Sequence, residues 1–433
     1  MVGVLVVFCI VYFFIATEII DKTAAAVLGA GAVIGLHFIS TSEALEAIDL
    51  NVLFLLIGMM VIVNILSETG VFEWLSIQVA RMVKGNGVLV IIMLLLLTAI
   101  LSAFLDNVTT VILIAPITIL LTQVLELPTA PVLILEALFS NVGGTGTLVG
   151  DPPNILIGSE TNLNFLDFMT NLGPVVVVIM LAGILILWVM LRPKIKTSPT
   201  VQERISKAHP EKAILQPRNL LWSLIIFGFV LIGFLFGHVV HLEPGIVALS
   251  GAMLLVVICR IELHKVLSRV EWDTIIFFAG LFMLIAALEK AGIFENMAKL
   301  VLSGAHGNLL MATMAILWAS AFISVIVNNI PLVMAMIPVI KSVIPVFAQQ
   351  MHITDPHQLH TAVMEPLFWA LALGACLGGN GSLVGASANV IVAQVAARNN
   401  YTISFWGFAR YGFVFMIGSL VICSAYLYLR FFI

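Results

Sequence analysis

Apolar residues run along this chain in long blocks, parted by short polar punctuation. The blocks are far longer than the alternating or three-and-four spacings of soluble elements. A helix that crosses a bilayer needs roughly 20 mostly apolar residues. Such stretches fall at about 2–20, 23–41, 50–67, 88–124, 130–160 and 171–192. A polar stretch from Pro193 to Arg218 follows. The second series lies at about 219–240, 244–260, 272–288, 307–349, 363–398 and 406–431. Two stretches in each half are not ordinary helices. The block 88–124 is too long for one crossing and is interrupted by Asp106-Asn107. It reads as a re-entrant hairpin with two short arms and a polar tip. The block 130–160 contains Gly143-Gly144-Thr145-Gly146-Thr147-Leu148-Val149-Gly150-Asp151-Pro152-Pro153-Asn154. No continuous helix tolerates that run of glycines and paired prolines. Broken backbone at membrane depth persists only where protein or a polar cavity surrounds it.

The punctuation repeats. A shift of 222 positions brings Gly58 onto Gly280, Gly70-Val71-Phe72-Glu73 onto Gly292-Ile293-Phe294-Glu295, Asp106-Asn107 onto Asn328-Asn329 and Pro116 onto Pro338. A shift of 235 brings the run 143–150 onto 378–385, and Asn154 onto Asn389. The offset changes in the polar loop near Gln349 to Leu359. The fold expected is an all-α integral membrane protein of two inverted repeats. It has about 10 transmembrane helices, two re-entrant hairpins and two broken helices. The first repeat spans 1–192, a linker 193–218 and the second repeat 219–433. Five crossings per half invert the second half relative to the first. Segments 71–84 and 293–304 look amphipathic and read as lying along the membrane surface.

Composition removes the soluble alternatives. Hydrophobic residues make up 61% of the 433 positions and charged residues only 10%, against about 25% charged in soluble domains. No catalytic soluble domain fits between the spans. The net charge is −4 with no basic block, which excludes nucleic acid as a partner. Basic residues set the orientation. Lys194, Lys196, Arg204, Lys207, Lys212 and Arg218 mark a cytoplasmic linker, and Arg81, Lys84, Arg260, Lys265 and Arg269 fall on the same side. Loops 41–49, 161–170 and 240–244 carry no Lys or Arg and read as external, as do both termini. The apolar N-terminus lacks a basic n-region and a cleavage site, so it reads as a retained helix. The expected location is the inner (plasma) membrane, multi-pass.

Inverted repeats with discontinuous helices are the plan of secondary transporters. Each break frees backbone N–H and C=O groups and presents half-helix ends. Four polar elements are expected around one cavity near the midplane: the tips at Asp106 and Asn328, and the breaks 143–154 and 378–389. The substrate-binding candidates are Asn107, Thr109, Thr110, Gly143, Gly144, Thr145, Thr147, Asn154, Asn328, Asn329, Asn380, Gly381, Ser382 and Asn389. Asn, Thr and Ser both donate and accept, suiting a small hydroxylated or anionic solute, or a cation held through oxygen. Acids inside a membrane are costly and mark function by default. Asp106 and Asp151, whose repeat partners are Asn328 and Ala386, are the candidate proton or cation couplers; the bland alternative is a half-helix cap. Glu136 is a further candidate relay, or a structural carboxyl. No Arg or Lys is expected near the breaks.

Other features read plainly. The histidines lack metal-ligand spacing; His352, His357 and His360 read as solvated loop residues. The four cysteines, Cys9, Cys259, Cys376 and Cys423, form no CxxC motif and no disulfide frame. Cys376 reads as a small core residue. The glycine run lacks the Lys of a phosphate loop, which disfavours an ATP-driven pump. Neither a metal nor a cofactor is expected, and no enzymatic activity.

Ser102-Ala103-Phe104-Leu105-Asp106-Asn107-Val108-Thr109-Thr110 with Gly150-Asp151-Pro152-Pro153-Asn154 resembles the ion transporter superfamily. The likeness is to the branch of arsenite permeases, NhaD-type sodium–proton antiporters and the melanosomal P protein, and covers essentially the whole chain. The resemblance implies ten spanning helices with two hairpins, often a homodimer, and elevator-like alternating access. By position it places the site on Asp106, Asn107, Thr109, Asn154, Asn329, Ser382 and Asn389. It also leaves a place for a soluble ATPase subunit. The dicarboxylate and citrate branch carries Ser-Asn-Thr at both tips, whereas this chain has Leu105-Asp106-Asn107-Val108 and Val327-Asn328-Asn329-Ile330. The substrate expected first is arsenite or antimonite, driven by protons. Sodium–proton antiport comes second, and an uncoupled channel-like or sensory protein third.

Overall fold

The computed structural model describes residues 2–17, 19–161, 163–192, 209–237, 242–305 and 307–433. Linker residues Lys194, Lys196, Arg204 and Lys207 lie outside the described residues, as do parts of the loops 161–170 and 240–244. The described secondary structure is helical throughout. Ten described helices have the length and apolar character to cross a bilayer. The protein is an integral membrane protein.

Both breaks in the long apolar blocks fall where the sequence places them. The first hairpin has arms Gly87–Phe104 and Asn107–Val124, and the second has arms Leu309–Ile326 and Asn329–Gln350. The arms are longer than the short ones expected from sequence. Each arm of the first hairpin has 18 residues, about 27 Å of helix, so length alone would let it cross. The tips show why the pair is nevertheless a hairpin: Asn107 and Asn329 are each only 3% exposed, inside the protein rather than at a water-facing end. The first broken helix runs Thr129–Thr145 and resumes at Pro152–Thr161; the second runs Glu365–Gly378 and resumes at Ser387–Arg398. Conversely, three segments read as crossings are short: Val2–Thr17, Lys22–Gly35 and Pro244–Cys259 have 16, 14 and 16 residues. Asp21 starts the second of these by accepting from the Thr23 and Ala24 amides. His37, at a φ of 58°, turns the chain away just past its end.

The remaining long helices build a frame in which each half supports the other. Leu50–Glu68 packs along Pro244–Cys259, and Lys22–Gly35 along Trp272–Lys290. Gly58 and Gly280, matched by the shift of 222, explain both contacts. A Cβ on Gly58 would stand 2.5 Å from the Ala248 carbonyl carbon, and one on Gly280 would stand 3.0 Å from that of Ala26. Ion pairs pin the ends. Lys290 Nζ lies 2.7 Å from Glu43, while Glu68 pairs with Lys265 at 3.1 Å and with Arg269. The amphipathic segments are the helices Val71–Met82 and Ile293–Gly304. The chain turns into each through a glycine of positive φ, Gly70 at 81° and Gly292 at 67°. Gly173–Leu191 and Pro217–Phe236 leave most of their apolar surface uncovered, as a lipid-facing helix can.

Candidate functional site

Helix starts shape both hairpin tips. At the first, Leu105 turns extended and Asp106 caps the returning arm. Asp106 Oδ1 accepts from the Thr109 amide at 2.8 Å and Oδ2 from the Thr109 hydroxyl at 2.5 Å. Thr110 donates its hydroxyl to the Asp106 carbonyl at 2.9 Å. At the second tip, Asn328 caps by accepting from the Ile330 amide at 3.2 Å. Its amide donates to the Ser387 hydroxyl at 3.3 Å.

The breaks are held by one bonding scheme used twice. Ser102 donates to the Ser140 carbonyl at 2.7 Å, and Ser324 to the Ala375 carbonyl at 2.8 Å. Thr147 donates to the Ala103 carbonyl, and Ser382 to that of Val325 at 2.5 Å. Those two hydroxyls then accept from the Gly150 and Gly385 amides at 3.2 and 3.1 Å. Asn154 donates to the Thr147 carbonyl at 2.8 Å, and Asn389 to that of Ser382 at 2.9 Å. Each broken helix thus recovers in side-chain bonds the backbone partners it forfeits.

A cavity of about 280 Å³ opens where the tips meet the breaks. Of the residues expected at the site, Asp106, Asn107, Asp151 and Asn329 line it. Asn329 donates to Asp151 Oδ1 at 3.3 Å, joining the second hairpin to the first break. Thr110, Thr145, Thr147, Asn154, Asn380, Ser382 and Asn389 are buried but stand outside the lining. Most of their polar atoms are committed to backbone: Thr145, for example, donates to the Asn141 carbonyl at 2.7 Å. Gly143, Gly144 and Gly381 are also buried, allowing close approach. Thr109 is half-buried and bonded to Asp106, and Asn328 half-buried beside Ser387. Glu136 lies apart from the cavity lining, fully buried. Neither of its carboxyl oxygens has a hydrogen bond of good geometry; Thr118, whose hydroxyl is equally unpartnered, is the polar group beside it.

Sequence reasoning missed several residues. Asn141 is the crossing point of the two halves. It accepts from Asn107 at 3.1 Å and donates to Asn380 and Asn389 at 2.8 and 3.0 Å. A polar residue in an apolar block two places before the glycine run was the available signal. Lys22 and Glu271 also line the cavity, with Asp273 and Thr274. The expectation that no cation stands near the breaks is therefore wrong for Lys22. It sits far from both motifs in sequence and is brought in by the packing of Lys22–Gly35 on Trp272–Lys290. Cys376 is more than core filling: its thiol lies 3.6 Å from Asn154 Oδ1.

A model of a citrate transporter family, CitMHS, matches residues 12–374. The chain belongs to this family. An uncharacterized transporter of Mycobacterium bovis is 40% identical to it over 99% of this chain and 98% of the relative. A 46 kDa membrane protein of Mycobacterium leprae is 37% identical over 98% and 97%. The human P protein is 34% identical over 96% of this chain, which spans 58% of that longer relative. This member of the citrate transporter family is thus a membrane transporter, and of the proteins the tip motifs resemble, the P protein is among the relatives it matches.

Proposed function

We propose that this transporter exports trivalent arsenite or antimonite in exchange for protons, with Asp106 and Asp151 as the proton-carrying acids. The observation that carries this reading is the shared wall. Both acids face one cavity together with Asn107 and Asn329, one asparagine from each hairpin tip. A largely uncharged trihydroxide can be held there by amides and carboxyls that both donate and accept. Two carboxylates close together hold a shared proton more readily than two separate charges. Citrate, the substrate in the family's description, suits this wall poorly. Asp106, Asp151, Glu271 and Asp273 face Lys22 alone, so a tricarboxylate would meet mostly its own sign of charge.

A second reading, sodium–proton antiport, is favoured by the same carboxylates, since a hard cation prefers oxygen ligands. Under either reading the halves 1–192 and 219–433 act as inverted repeats joined by a cytoplasmic linker. The hairpins and broken helices move against the frame, elevator-fashion, in a homodimer in the inner membrane with its termini outside. A soluble ATPase subunit remains a partner of the first reading only.

Everted vesicles energised with a proton gradient test both readings. Arsenite or antimonite accumulation, sodium-induced dequenching of a pH dye and citrate uptake are followed in parallel. Gradient-dependent arsenite uptake without a sodium response supports export of the metalloid. A sodium response alone makes the protein a cation antiporter, citrate uptake alone overturns both readings, and a flux indifferent to pH would indicate an uncoupled pathway.

A further inference from the structure

We propose that Glu271 is a third transport carboxylate, the acid at the open mouth through which protons pass between water and the Asp106–Asp151 wall. This rests on the proton-coupled reading above. Glu271 stands immediately before the helix Trp272–Lys290, at its N-cap. It lines the same cavity as Asp106 and Asp151 and is half-buried, so it touches both cavity and solvent. Among the described residues its carboxyl accepts one hydrogen bond, from the Thr274 hydroxyl at 3.2 Å, and Lys22 shares the cavity wall with it.

The charged groups facing it are Lys22 from Lys22–Gly35, Asp106 from the first hairpin and Asp273 on its own helix. Arg269, two residues earlier, is committed to Glu68. Glu271 lies outside the span, and burial followed by the charge of Asp106 pushes it up to about 7. A proton from water neutralises the Glu271 carboxylate. Passing it inward restores that carboxylate and neutralises Asp106 or Asp151.

The repeat supplies the counterpart. A shift of 222 places Glu271 on Asp49, the N-cap of Leu50–Glu68. Asp49 lines a separate cavity, with Asn51, Ser159 and Glu243. There it caps the Val52 amide at 3.2 Å and takes the hydroxyl bond of Ser159, on the second part of the first broken helix. So each half of the molecule carries an acid at the same helix start. The one beside the Asp106–Asp151 cavity is bonded, among the described residues, only within its own helix start, to Thr274, and the other is engaged by a helix of the site. The residue matching Ser159 at the shift of 235 is Gln394, which is exposed and unbonded to Glu271 in this conformation.

The test compares wild type, E271Q and E271D in proteoliposomes. Proton-driven flux of arsenite and of sodium is read across pH, alongside infrared titration of the purified proteins' carboxyl groups. The expected result is a carboxyl band titrating near neutral pH that vanishes in E271Q. The flux profile should move to lower pH in E271Q and return in E271D. An unchanged band and an unchanged profile in E271Q overturn the proposal. If wild type carries neither probe, the proton-coupled reading of those substrates fails, and the infrared titration still decides Glu271. Should E271Q not fold, carbodiimide labelling of Glu271 in wild type decides: labelling must rise as pH falls through about 7, and labelling indifferent to pH overturns the proposal.

Discussion

Asn141 donates its side-chain amide to Asn389 at 3.0 Å, a bond from the first broken helix to the second. Its counterpart at the shift of 235 is Cys376, which reaches back to Asn154, the counterpart of Asn389. Two equivalent positions therefore clasp the two halves across one pseudo-symmetric centre. The Asn141 side, with bonds to Asn107, Asn380 and Asn389, is the stronger. Replacing Asn141 by Ala strands buried groups on three partners, at about 1–3 kcal/mol per group left unpaired. We expect N141A to unfold at markedly lower temperature in detergent and to transport poorly. C376A removes the weak sulfur contact to Asn154 and the thiol beside Asp151, and should melt closer to wild type than N141A.

Asp106 can be separated into cap and carrier. Asn caps a helix about as well as Asp, and Asn328 does so at the matching tip. Asp106→Asn should therefore keep its melting temperature near wild type while losing proton-driven flux. Full flux in that variant would reduce Asp106 to a cap.

Asn107 and Asn329 come from opposite hairpins and line one cavity. Each substitution to Ala should raise the apparent KM for the transported solute by about tenfold, the effect of losing one hydrogen bond of about 1.4 kcal/mol. A normal KM in either variant removes that tip from the binding wall. N329A should in addition alter the pH profile, because Asn329 donates to Asp151.

The glycines beneath the breaks are spacers between helices. A Cβ on Gly143 would lie 2.0 Å from the Ala99 carbonyl oxygen, and one on Gly378 would lie 2.5 Å from that of Ala321. Both positions face backbone that cannot step aside, so G143A and G378A should each destabilise by at least about 1–3 kcal/mol, the usual cost of overpacking. Gly418→Ala meets nothing within 4 Å and should melt like wild type.

Acid should spare the Glu43–Lys290 contact over most of the working range. The Lys290 ammonium, together with the Ser40 amide and hydroxyl, lowers Glu43 from 4.5 to about 2. A depressed carboxylate contributes its stabilisation above its unfolded value and loses it as pH falls through the folded one. The stabilisation should thus be full above about 4.5, fall away as pH drops from 4.5 to about 2, and be lost below that. Carbon-13 labelling of Glu43 should show the low titration in wild type and a return toward 4.5 in K290A.

Much of this was legible in one dimension. Apolar blocks of spanning length fixed the class of protein, because a chain with so little polar surface has lipid as its solvent. The breaks at Asp106 and Gly143, and their echoes at Asn328 and Gly378, were readable because Asn, Gly and Pro forbid or end helices locally. Local physics also placed the caps at both tips. Arm length was misread, since hydropathy does not report whether a helix end is buried.

The wall of the site was decided only in three dimensions. Asn141 joins residues 239 and 248 positions away, and Thr23 on the helix that begins at Lys22 bonds Asp273 across 250 positions. No local preference encodes such pairs. The Asn141 bonds follow from the contact of the two broken helices, and the Thr23–Asp273 pair from the way Gly280 lets Trp272–Lys290 pack on Lys22–Gly35. That packing brings Lys22 and Glu271 to the cavity while leaving Asn154 and Asn389 behind it, holding the backbone of the breaks.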